Sequence, residues 1–403
     1  MDLESFERLR TDEGRRALGA AVELVRAGVG AVGAASSMRK AYDAGLVGAA
    51  LTQAGLRQRA VGKFGADAEV MFFTPQGLEQ ATRAEVAEHR ARELVKRWGK
   101  GAAGGLSVVD VCAGVGGDLV ALARAGCRVD AVDIDPLTVA VARANVEALG
   151  LSASVRVADA ESVDPGAYDV LFADPARRSS SRRTFDPNAY SPAWPVLVEM
   201  ISRARRACLK LAPGIPYEFI PEGSDVEWVS FRGEVKEAVL WVSSGESAPV
   251  VTGERFARRA TLLPEGDDLM ATGVQAAVGP VGRYLYEPDG AAVRAHLVGE
   301  VAETVEGWLI DPQIAYITSD KRGHSPWVAG YEVQEVMPFS LKRLRAALRE
   351  RGVGVVTIKK RGSAVDVEKL RKDLRMAGGN SIVVILTRIG DRPVAILATE
   401  MPH

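Results

Sequence analysis

The spacing of apolar residues separates a helical first part of the chain from a mixed second part. Up to about residue 100, Leu, Val, Ala and Phe recur every three or four positions with charged residues between them, which predicts amphipathic helices. One helix is predicted within "FFTPQGLEQATRAEVAEHRARELVKRWGKG", where Thr74 can cap the first turn and Pro75 suits its first position. Gly99 and Gly101 flank the end of that helix.

From Ser107 onward the pattern changes to short runs that are typical of strands. Four of them are "SVVDVC", "CRVDAVD", "ASVRVA" and "YDVLFA", and helical patterns separate the first three. The clearest helix, "PLTVAVARANVEALG", opens with Pro136 and can close at Gly150. Alternating strands and helices predict a mostly parallel α/β sheet. We expect the later runs "IPYEFI", "VEWVSF" and "EAVLWV" to complete that sheet.

A glycine-rich stretch, "ATGVQAAVGPVG", marks the expected boundary before the last part of the chain. Beyond it, "GRYLYEPDGAAVRAHLV" begins another strand-and-helix unit that runs to the C-terminus. We therefore predict an N-terminal helical domain over residues 1–100, an α/β domain over 101–275 and an α+β domain over 281–403.

Composition argues against several classes of protein. The formal net charge is −1 over 403 residues, so any attraction to nucleic acid or membrane must come from local patches. The three cysteines form no C-x-x-C pair and the four histidines are scattered, which argues against a disulfide framework and a metal site. The start is too charged for a signal peptide, and no apolar run approaches the roughly 20 residues of a spanning helix. We expect a cytoplasmic protein without metal or membrane partners, and the sequence carries no signal for an oligomeric state.

The stretch "VVDVCAGVGGD", Val108 to Asp118, reads as a strand, a glycine turn and the start of a helix. A dinucleotide fingerprint requires G-x-G-x-x-G, but its third position falls on Leu119. Asp110 just before the turn would be a poor neighbour for an anionic pyrophosphate. It suits a ligand that carries positive charge, such as the ammonium and sulfonium of S-adenosylmethionine. A turn that only relieves crowding and binds nothing is the alternative.

Two further acids end the next two strands. Asp133 lies 19 residues after Gly114, close to the roughly 20 that separate the glycine turn from an acid that binds ribose hydroxyls. Asp159 follows the third strand and can accept a hydrogen bond from an adenine amine. Open parallel sheets bind ligands at the carboxyl ends of their strands. Acids at three successive strand ends therefore predict a site for a nucleoside-type ligand.

These segments, together with "VLFADPARR", resemble the class I S-adenosylmethionine-dependent methyltransferases over about residues 108–174. The resemblance implies a Rossmann-like core, a mostly parallel sheet with helices on both faces, and S-adenosylmethionine as cofactor. It implies that Asp110 and the glycines surround the methionine part, Asp133 the ribose and Asp159 the adenine. The residues of this region that it places at the cofactor are Asp110, Ala113, Gly114, Gly116, Gly117, Asp118, Asp133, Ile134, Asp159 and Ala160.

The fourth strand ends in Asp174-Pro175-Ala176-Arg177. This resembles the Asp/Asn-Pro-Pro-aromatic signature of methyltransferases that act on exocyclic base amines, in which the acid and a backbone carbonyl hold the amine. Two positions depart from it, because alanine replaces the second proline and Arg177 replaces the stacking aromatic. Asp174, Pro175 and Arg177 are the predicted catalytic residues. A guanidinium can stack on a base, or Phe185, Tyr190 or Trp194 can supply a ring.

The arginines after this motif are predicted to bind the acceptor. Arg178, Arg182 and Arg183 continue from Arg177 in the loop "DPARRSSSRRTFDPNAYSP", which is long enough to close over a substrate. Guanidinium groups there suit phosphate contacts. A solvated loop is the alternative. With Tyr190 and Trp194, these residues complete the predicted acceptor site.

The flanking regions resemble a bacterial methyltransferase family with a THUMP-like C-terminal domain. The segments that carry this similarity are "KFGADAEVMFFTPQGLEQATRAEVAEHRA", "LIDPQIAYITSD", "EVMPFSLKRLRAALRERGVGVVTIKKRG" and "LRMAGGNSIVVILTRIGDRPVAIL". The trimethylguanosine synthases are more distantly similar. The comparison implies that Phe73 and Thr74 lie near the cofactor, and it hints at RNA, which THUMP domains bind. A helix cap that packs on the core is the alternative for Phe73 and Thr74.

Charge supports the same partner. Residues 340–375 contain 12 Lys and Arg and four acids, a difference of 12 − 4 = +8 in a chain of net charge −1. A basic helix beside the Lys359-Lys360-Arg361 strand end is typical of an RNA footprint, and a solvated helix face is the alternative. We expect a methyltransferase that acts on an exocyclic base nitrogen of a structured RNA, tRNA or rRNA. Methyl transfer to a small molecule or protein, and a non-catalytic module that binds cofactor or RNA, remain open.

Overall fold

The structure is a computed structural model that describes residues 1–99, 104–177, 189–245 and 253–402. The chain forms two compact units, Met1–Ser224 with Ala238–Ala248, and Asp225–Glu237 with Pro249–His403. We call them the first and the second unit. The three-domain division drawn from the sequence stays a prediction.

The first unit begins with helices, as predicted. They are α1 (Leu3–Arg10), α2 (Asp12–Arg26), α3 (Ala31–Met38), α4 (Ala44–Phe64), α5 (Pro75–Gln80) and α6 (Ala84–Trp98). Their apolar faces pack together, and Leu9, Leu18 and Leu46 are buried in one cluster. Burial of one face of each helix explains the three- and four-residue spacing.

The helix predicted from Thr74 onward is interrupted. Thr74 caps α5 as expected, because its Oγ1 accepts a hydrogen bond from the Gly77 N–H at 2.9 Å. Lys63 of α4 then donates from Nζ to the carbonyls of Leu78, Glu79 and Ala81 at 2.8, 2.7 and 2.8 Å. This ammonium caps the C-terminus of α5, and the chain starts a new helix at Ala84. Gly101 lies outside the described residues.

A central sheet follows in the first unit. Its elements are β1 (Ser107–Asp110), α7 (Gly117–Arg124), β2 (Arg128–Asp133), α8 (Pro136–Ala148), β3 (Ala153–Val157), β4 (Val170–Ala173), α9 (Trp194–Arg203), β7 (Arg206–Leu211) and β9 (Glu234–Ser243). A separate ladder joins β5 (Ala176–Arg177) to β6 (Tyr190–Ser191). The order is β9-β7-β4-β1-β2-β3, antiparallel only between β9 and β7. The predicted α/β sheet is confirmed.

Two of the three later runs form strands as predicted. "EAVLWV" lies in β9, and "VEWVSF" lies in β8 (Asp225–Phe231), which belongs to the second unit. The prediction for "IPYEFI" is wrong, because Tyr217–Phe219 forms a 3-10 turn. Pro216 precedes that turn and lacks the N–H that a central strand would donate.

The second unit contains an α+β fold. Its elements after β8 are β10 (Ala257–Leu263), β11 (Asp267–Met270), β12 (Tyr284–Pro288), α10 (Gly290–Arg294), α11 (Val298–Thr304), β13 (Trp308–Asp311), β14 (Ile314–Ser319), β15 (Val328–Pro338), α12 (Leu341–Glu350), β16 (Val353–Lys360), α13 (Val367–Leu374), β17 (Asn380–Ile389) and β18 (Arg392–Glu400). A seven-stranded sheet has the order β13-β14-β12-β15-β18-β17-β16. Leu344 of α12 and Leu370 of α13 pack in one core cluster with Val384 and Leu397 of that sheet.

Among the described residues, no helix is long and apolar enough to cross a membrane. The cytoplasmic location stays a prediction.

A buried ion pair joins the helical part to the central sheet. Arg90 of α6 is 1% exposed and donates to the Asp118 carboxylate of α7. The Arg90 guanidinium also lies 5.6 Å from the centre of the Phe172 ring on β4. Three elements therefore meet at one side chain.

Replacing Arg90 should destabilise the protein strongly, because Asp118 would remain buried without its cation. We expect Arg90→Met to lower the free energy of unfolding by about 3–5 kcal/mol, as measured by urea denaturation. Arg92→Met is the matched control on the same helix, since Arg92 is 65% exposed and its nearest carboxylate oxygen, on Glu88, is 3.8 Å away. The control should cost less than about 1 kcal/mol. Equal losses in both variants would contradict a stabilising role for the buried pair.

Candidate cofactor and acceptor site

The glycine turn connects β1 to α7. Gly114 and Gly116 have φ angles of +52° and +87°, which residues with a Cβ adopt only at a cost in free energy. A Cβ built on Gly114 would meet no atom within 4 Å, so the turn is open on that side. Gly117 is the first residue of α7. Ala113 is nearly buried, and its N–H donates to the Val132 carbonyl at 3.0 Å, which ties the turn to β2.

Asp110 ends β1 as a fully buried carboxylate. Its Oδ1 accepts a hydrogen bond from the Cys112 N–H at 3.0 Å, and its Oδ2 has no donor among the described residues. Burial raises the pKa of Asp110 well above its usual range, and repulsion from Asp118, Asp174 and Asp133 adds to this. A cation placed at Oδ2 would stabilise the ionised form.

Asp133 ends β2 and supports the glycine turn. Its Oδ2 accepts from the Gly114 N–H and its Oδ1 from the Asp135 N–H, both at 3.0 Å. Each carboxylate oxygen keeps lone-pair capacity for a further donor. The next residue, Ile134, is 70% exposed, so an apolar surface lies beside this acid.

Asp159 follows β3 on the exposed surface. Its Oδ1 caps the short turn Ala160–Ser162 by accepting from the Glu161 N–H at 2.9 Å. Ala160 is buried under this turn. The Asp159 Oδ2 accepts no hydrogen bond from the described residues and is available to a ligand amine.

Phe73 and Thr74 are held beside the glycine turn by a residue that sequence reasoning missed. Asn145 of α8 is fully buried, and its Nδ2 donates to the carbonyls of Phe72 at 3.0 Å and Val115 at 2.8 Å. Its Oδ1 accepts from the Phe72 N–H at 2.6 Å. An asparagine on the apolar face of "VAVARANVEAL" was the available signal.

Close packing also brings the start of α5 to this turn. A Cβ on Gly77 would lie 2.3 Å from the Val115 Cγ1, so only glycine fits there without displacement. Phe73 is fully buried, and its ring lies 5.3 Å from the Phe64 ring. The predicted position of Phe73 near the cofactor therefore depends on packing in the core. Thr74, which caps α5, is half-buried.

Asp174 lies just beyond β4 and is paired with a second residue that the sequence analysis missed. The Lys210 Nζ of β7 donates to the Asp174 Oδ2 at 2.5 Å. A lysine between apolar residues in "ACLKLA" was the signal. Pro175 is buried, and the backbone of Ala176 and Arg177 pairs with Ser191 and Tyr190, which joins the two ends of the arginine-rich loop.

The proposed acceptor residues divide into two groups. Tyr190 is 2% and Trp194 7% exposed, and the Trp194 ring packs edge-on against Phe219 at 6.2 Å. Their burial argues against the prediction that these rings stack on a base. Arg178, Arg182, Arg183 and Phe185 lie outside the described residues.

The cations of residues 340–375 also fall into two groups, those with partners within the protein and those exposed to solvent. Lys359 and Arg361 lie 3.0 and 3.9 Å from the Glu287 carboxylate, and Lys360 donates to the Val365 carbonyl at 2.8 Å. Lys359 and Arg361 are thus offset by an acid within the protein, whereas Lys360 stays exposed, and the place of this strand end in an RNA footprint stays a prediction. We call the remaining exposed cations, which have no ion pair or hydrogen bond with a described residue, the basic face. They are Lys342, Arg343, Arg349, Lys369, Lys372 and Arg375.

Three family models match separate parts of the chain. A methyltransferase domain matches residues 108–179, and a THUMP domain-like family matches residues 328–400. A domain of unknown function matches residues 2–60. The first match contains the glycine turn and the acids of β1, β2, β3 and β4.

A full-length relationship is also found. An uncharacterized S-adenosylmethionine-dependent methyltransferase, present in two strains of Mycobacterium tuberculosis, is 38% identical over 346 residues, which cover 83% of this chain and 91% of the relative. The chain belongs to the S-adenosylmethionine-dependent methyltransferases. The crystal structure of a "putative methyltransferase" from Porphyromonas gingivalis W83 has the same fold, with a TM-score of 0.73, 21% identity and coverage of 90% of this chain and 92% of that one. The sequence resemblance is thereby confirmed.

S-adenosylmethionine is the cofactor of this methyltransferase, and the residues fit it. The buried Asp110 Oδ2 without a donor suits a positive charge, and the turn at Gly114 leaves room for an approaching ligand. The exposed Ile134 offers an apolar surface to a flat ring. The Asp118 carboxylate accepts a hydrogen bond from Arg90, so it supports the turn rather than facing an open site. No group of His, Cys, Asp or Glu in the described part of the chain could hold a metal ion.

The buried Asp110 should make the ligand-free methyltransferase less stable as pH rises. Its folded-state pKa is raised, so its stabilising contribution is complete below the unfolded pKa of about 3.9 and is lost as pH rises through the folded value. We expect the unfolding free energy of Asp110→Asn to lack this decrease with rising pH. The same change should weaken S-adenosylmethionine binding at least about tenfold. An equal decrease with pH in both proteins, measured by urea denaturation at several pH values, would contradict the assignment.

Asn145 should matter for both stability and cofactor binding. Asn145→Leu preserves volume but leaves backbone groups of Phe72 and Val115 without a partner, so we expect a loss of about 2–4 kcal/mol. Calorimetry should show weaker S-adenosylmethionine binding, because the turn loses its anchor. Asn380→Leu is the control, since Asn380 is exposed and its side chain donates only to the Arg351 carbonyl among the described residues. An unchanged affinity of Asn145→Leu for S-adenosylmethionine would contradict a role for the Asn145 hydrogen bonds in the cofactor site.

Proposed function

We propose that this methyltransferase modifies an exocyclic nitrogen of a base in a structured RNA, tRNA or rRNA. The observation that carries the proposal is the position of Asp174, a strand-end carboxylate close enough to the buried Asp110 to raise its pKa. A hydrogen-bond acceptor at this edge suits a donor amine. The THUMP domain-like match and the basic face support RNA as the molecule that carries the amine.

For the cofactor, we assign Asp110, Gly114, Gly116 and Gly117 to the methionine part. Asp133 would bind the ribose hydroxyls through its remaining lone pairs, Asp159 would accept from the adenine amine, and Ile134 would pack on the ring. When bound, S-adenosylmethionine supplies an electrophilic methyl group, and its transfer forms an N–C bond, breaks the C–S bond and leaves the electron pair on sulfur.

For the acceptor, Asp174 would hold the amine by accepting one of its N–H groups. This orients the nitrogen lone pair and contributes by positioning, which is the main task in an in-line displacement. After transfer the nitrogen carries one proton too many, and Asp174 or water can accept it. Pro175 restricts the backbone next to the carboxylate. The roles of Arg177 and of the following arginines stay predictions.

The basic face is the part of the proposal that concerns RNA most directly. Its lysines and arginines lie on α12, on α13 and just after α13, whose leucines share one core cluster. Six exposed cations without a partner among the described residues form a local patch, although the whole chain has a net charge of −1. Such a patch binds phosphates with an affinity that falls steeply as salt is added.

Neutralising the basic face should weaken RNA binding and reduce its salt dependence. We expect the quadruple change of Lys342, Arg343, Lys369 and Lys372 to alanine to lower the slope of log affinity against log salt by about 3 on unmodified tRNA or rRNA. The control changes four exposed cations of the helical part to alanine, Arg16, Arg39, Lys40 and Arg59. S-adenosylmethionine affinity should stay unchanged in both.

Mass spectrometry of nucleosides from cells with and without the gene tests the reaction itself. The proposal expects the loss of one N-methylated base when the gene is removed. An unchanged nucleoside profile, together with no RNA binding by the wild-type protein at low salt, would overturn it. That result would favour a small molecule or a protein as the acceptor.

A further inference from the structure

The register of the central sheet places Lys210 beside Asp174. Strands β4 and β7 are parallel, with Phe172 opposite Cys208 and Ala173 opposite Leu209. Continuing this register by one residue brings Asp174 next to Lys210, where the Nζ and Oδ2 atoms lie 2.5 Å apart. The side chain of Asp174 is 26% exposed and that of Lys210 17%, so the pair is partly shielded from water.

The charges around this pair are mostly negative. The carboxylate of Asp110 at the end of β1 is repelled by three others, those of Asp118 on α7, Asp133 at the end of β2 and Asp174. The Cys112 thiol lies close to Asp110, Asp133 and Asp174. Arg90 pairs with Asp118 and Lys210 with Asp174. Among the described residues, Asp110 and Asp133 have no cationic partner. Lys210 is thus the cation that offsets the charge of Asp174.

The hydrogen bond from Lys210 also distinguishes the two oxygens of the carboxylate. Oδ2 accepts from the ammonium, whereas Oδ1 accepts from no donor in the described part of the chain. A carboxylate that is anchored through one oxygen presents the other in a restricted direction. Oδ1 is therefore the atom of Asp174 that remains for an external donor.

We propose that Lys210 is a positioning residue for methyl transfer, which anchors Asp174 through Oδ2 and leaves Oδ1 to accept the N–H of the acceptor amine. The identity of the acceptor as an amine rests on the proposed function. Lys210 itself need not touch the acceptor or the cofactor. A lysine that only joined β4 to β7 would affect stability instead, and the two roles predict different measurements.

The test compares Lys210→Met and Lys210→Arg with the wild-type enzyme on RNA from cells that lack the gene. We expect Lys210→Met to lower kcat about a hundredfold, because the Asp174 carboxylate loses the hydrogen bond that orients it, with KM for S-adenosylmethionine changed less than about twofold. Lys210→Arg keeps the cation and should restore most of the rate.

Lys236→Met is the matched control. Lys236 is also a strand lysine, 28% exposed, with its Nζ 2.5 Å from the Glu234 carboxylate. Its replacement should leave kcat unchanged. An unchanged kcat in Lys210→Met, or a failure of Lys210→Arg to recover the rate, would overturn the proposal.

A readout without acceptor separates this proposal from the proposed function. In protein with 13C-labelled aspartate carboxyl groups, the Asp174 signal is assigned by its absence in Asp174→Asn. At neutral pH we expect that signal to shift in Lys210→Met but not in Lys236→Met, because Asp174 loses the hydrogen bond from Nζ, and an unchanged signal would overturn the role of Lys210. A wild-type enzyme that methylates no RNA would overturn the proposed function alone.

Discussion

The repulsion among carboxylates at one edge of the central sheet is the constraint on which the site depends. Parallel strands end at a common edge, so acids at their ends come together even though they are far apart in sequence. Asp133 and Asp174 after β2 and β4, together with Asp118 on α7, repel the buried carboxylate of Asp110. The protein supplies Arg90 for one of them and Lys210 for another. The remaining negative charge suits a cofactor that carries positive charge, and Asp110 is buried where that charge has most effect.

The helical part of the first unit contributes to the site through a few polar contacts rather than through packing alone. Asn145 binds the backbone of Phe72 and Val115, and Arg90 binds Asp118. Both side chains are buried, so their hydrogen bonds form away from competing water. The geometry of the glycine turn is therefore shared between the sheet and the helices that precede it. These contacts connect the first hundred or so residues to a glycine turn and strand-end acids that lie beyond them.

In the second unit, charge counted along the sequence differs from charge available to a partner. Residues 340–375 carry a net charge of +8 by residue type, yet Lys359, Lys360 and Arg361 bind groups within the unit. The cations that remain on the basic face belong to α12, α13 and the residue after α13. Helices present their outer face to solvent, whereas Lys359 at the end of β16 and Arg361 just after it reach the Glu287 carboxylate of β12. The distinction follows from the packing of each element.

The sequence by itself determined the local features of this methyltransferase. The strands, the turn at Gly114 and Gly116, the acids at the strand ends and the start of α5 at Thr74 are visible because each depends on residues within about one turn or one strand of itself. The tertiary structure alone decided which groups meet: Asn145 with Phe72, Arg90 with Asp118, Lys210 with Asp174, and Trp194 with Phe219. These pairs lie 73, 28, 36 and 25 positions apart, and the last separation is 219 − 194. Periodicity carries no information about partners at such distances, since they are set by the way strands and helices pack together.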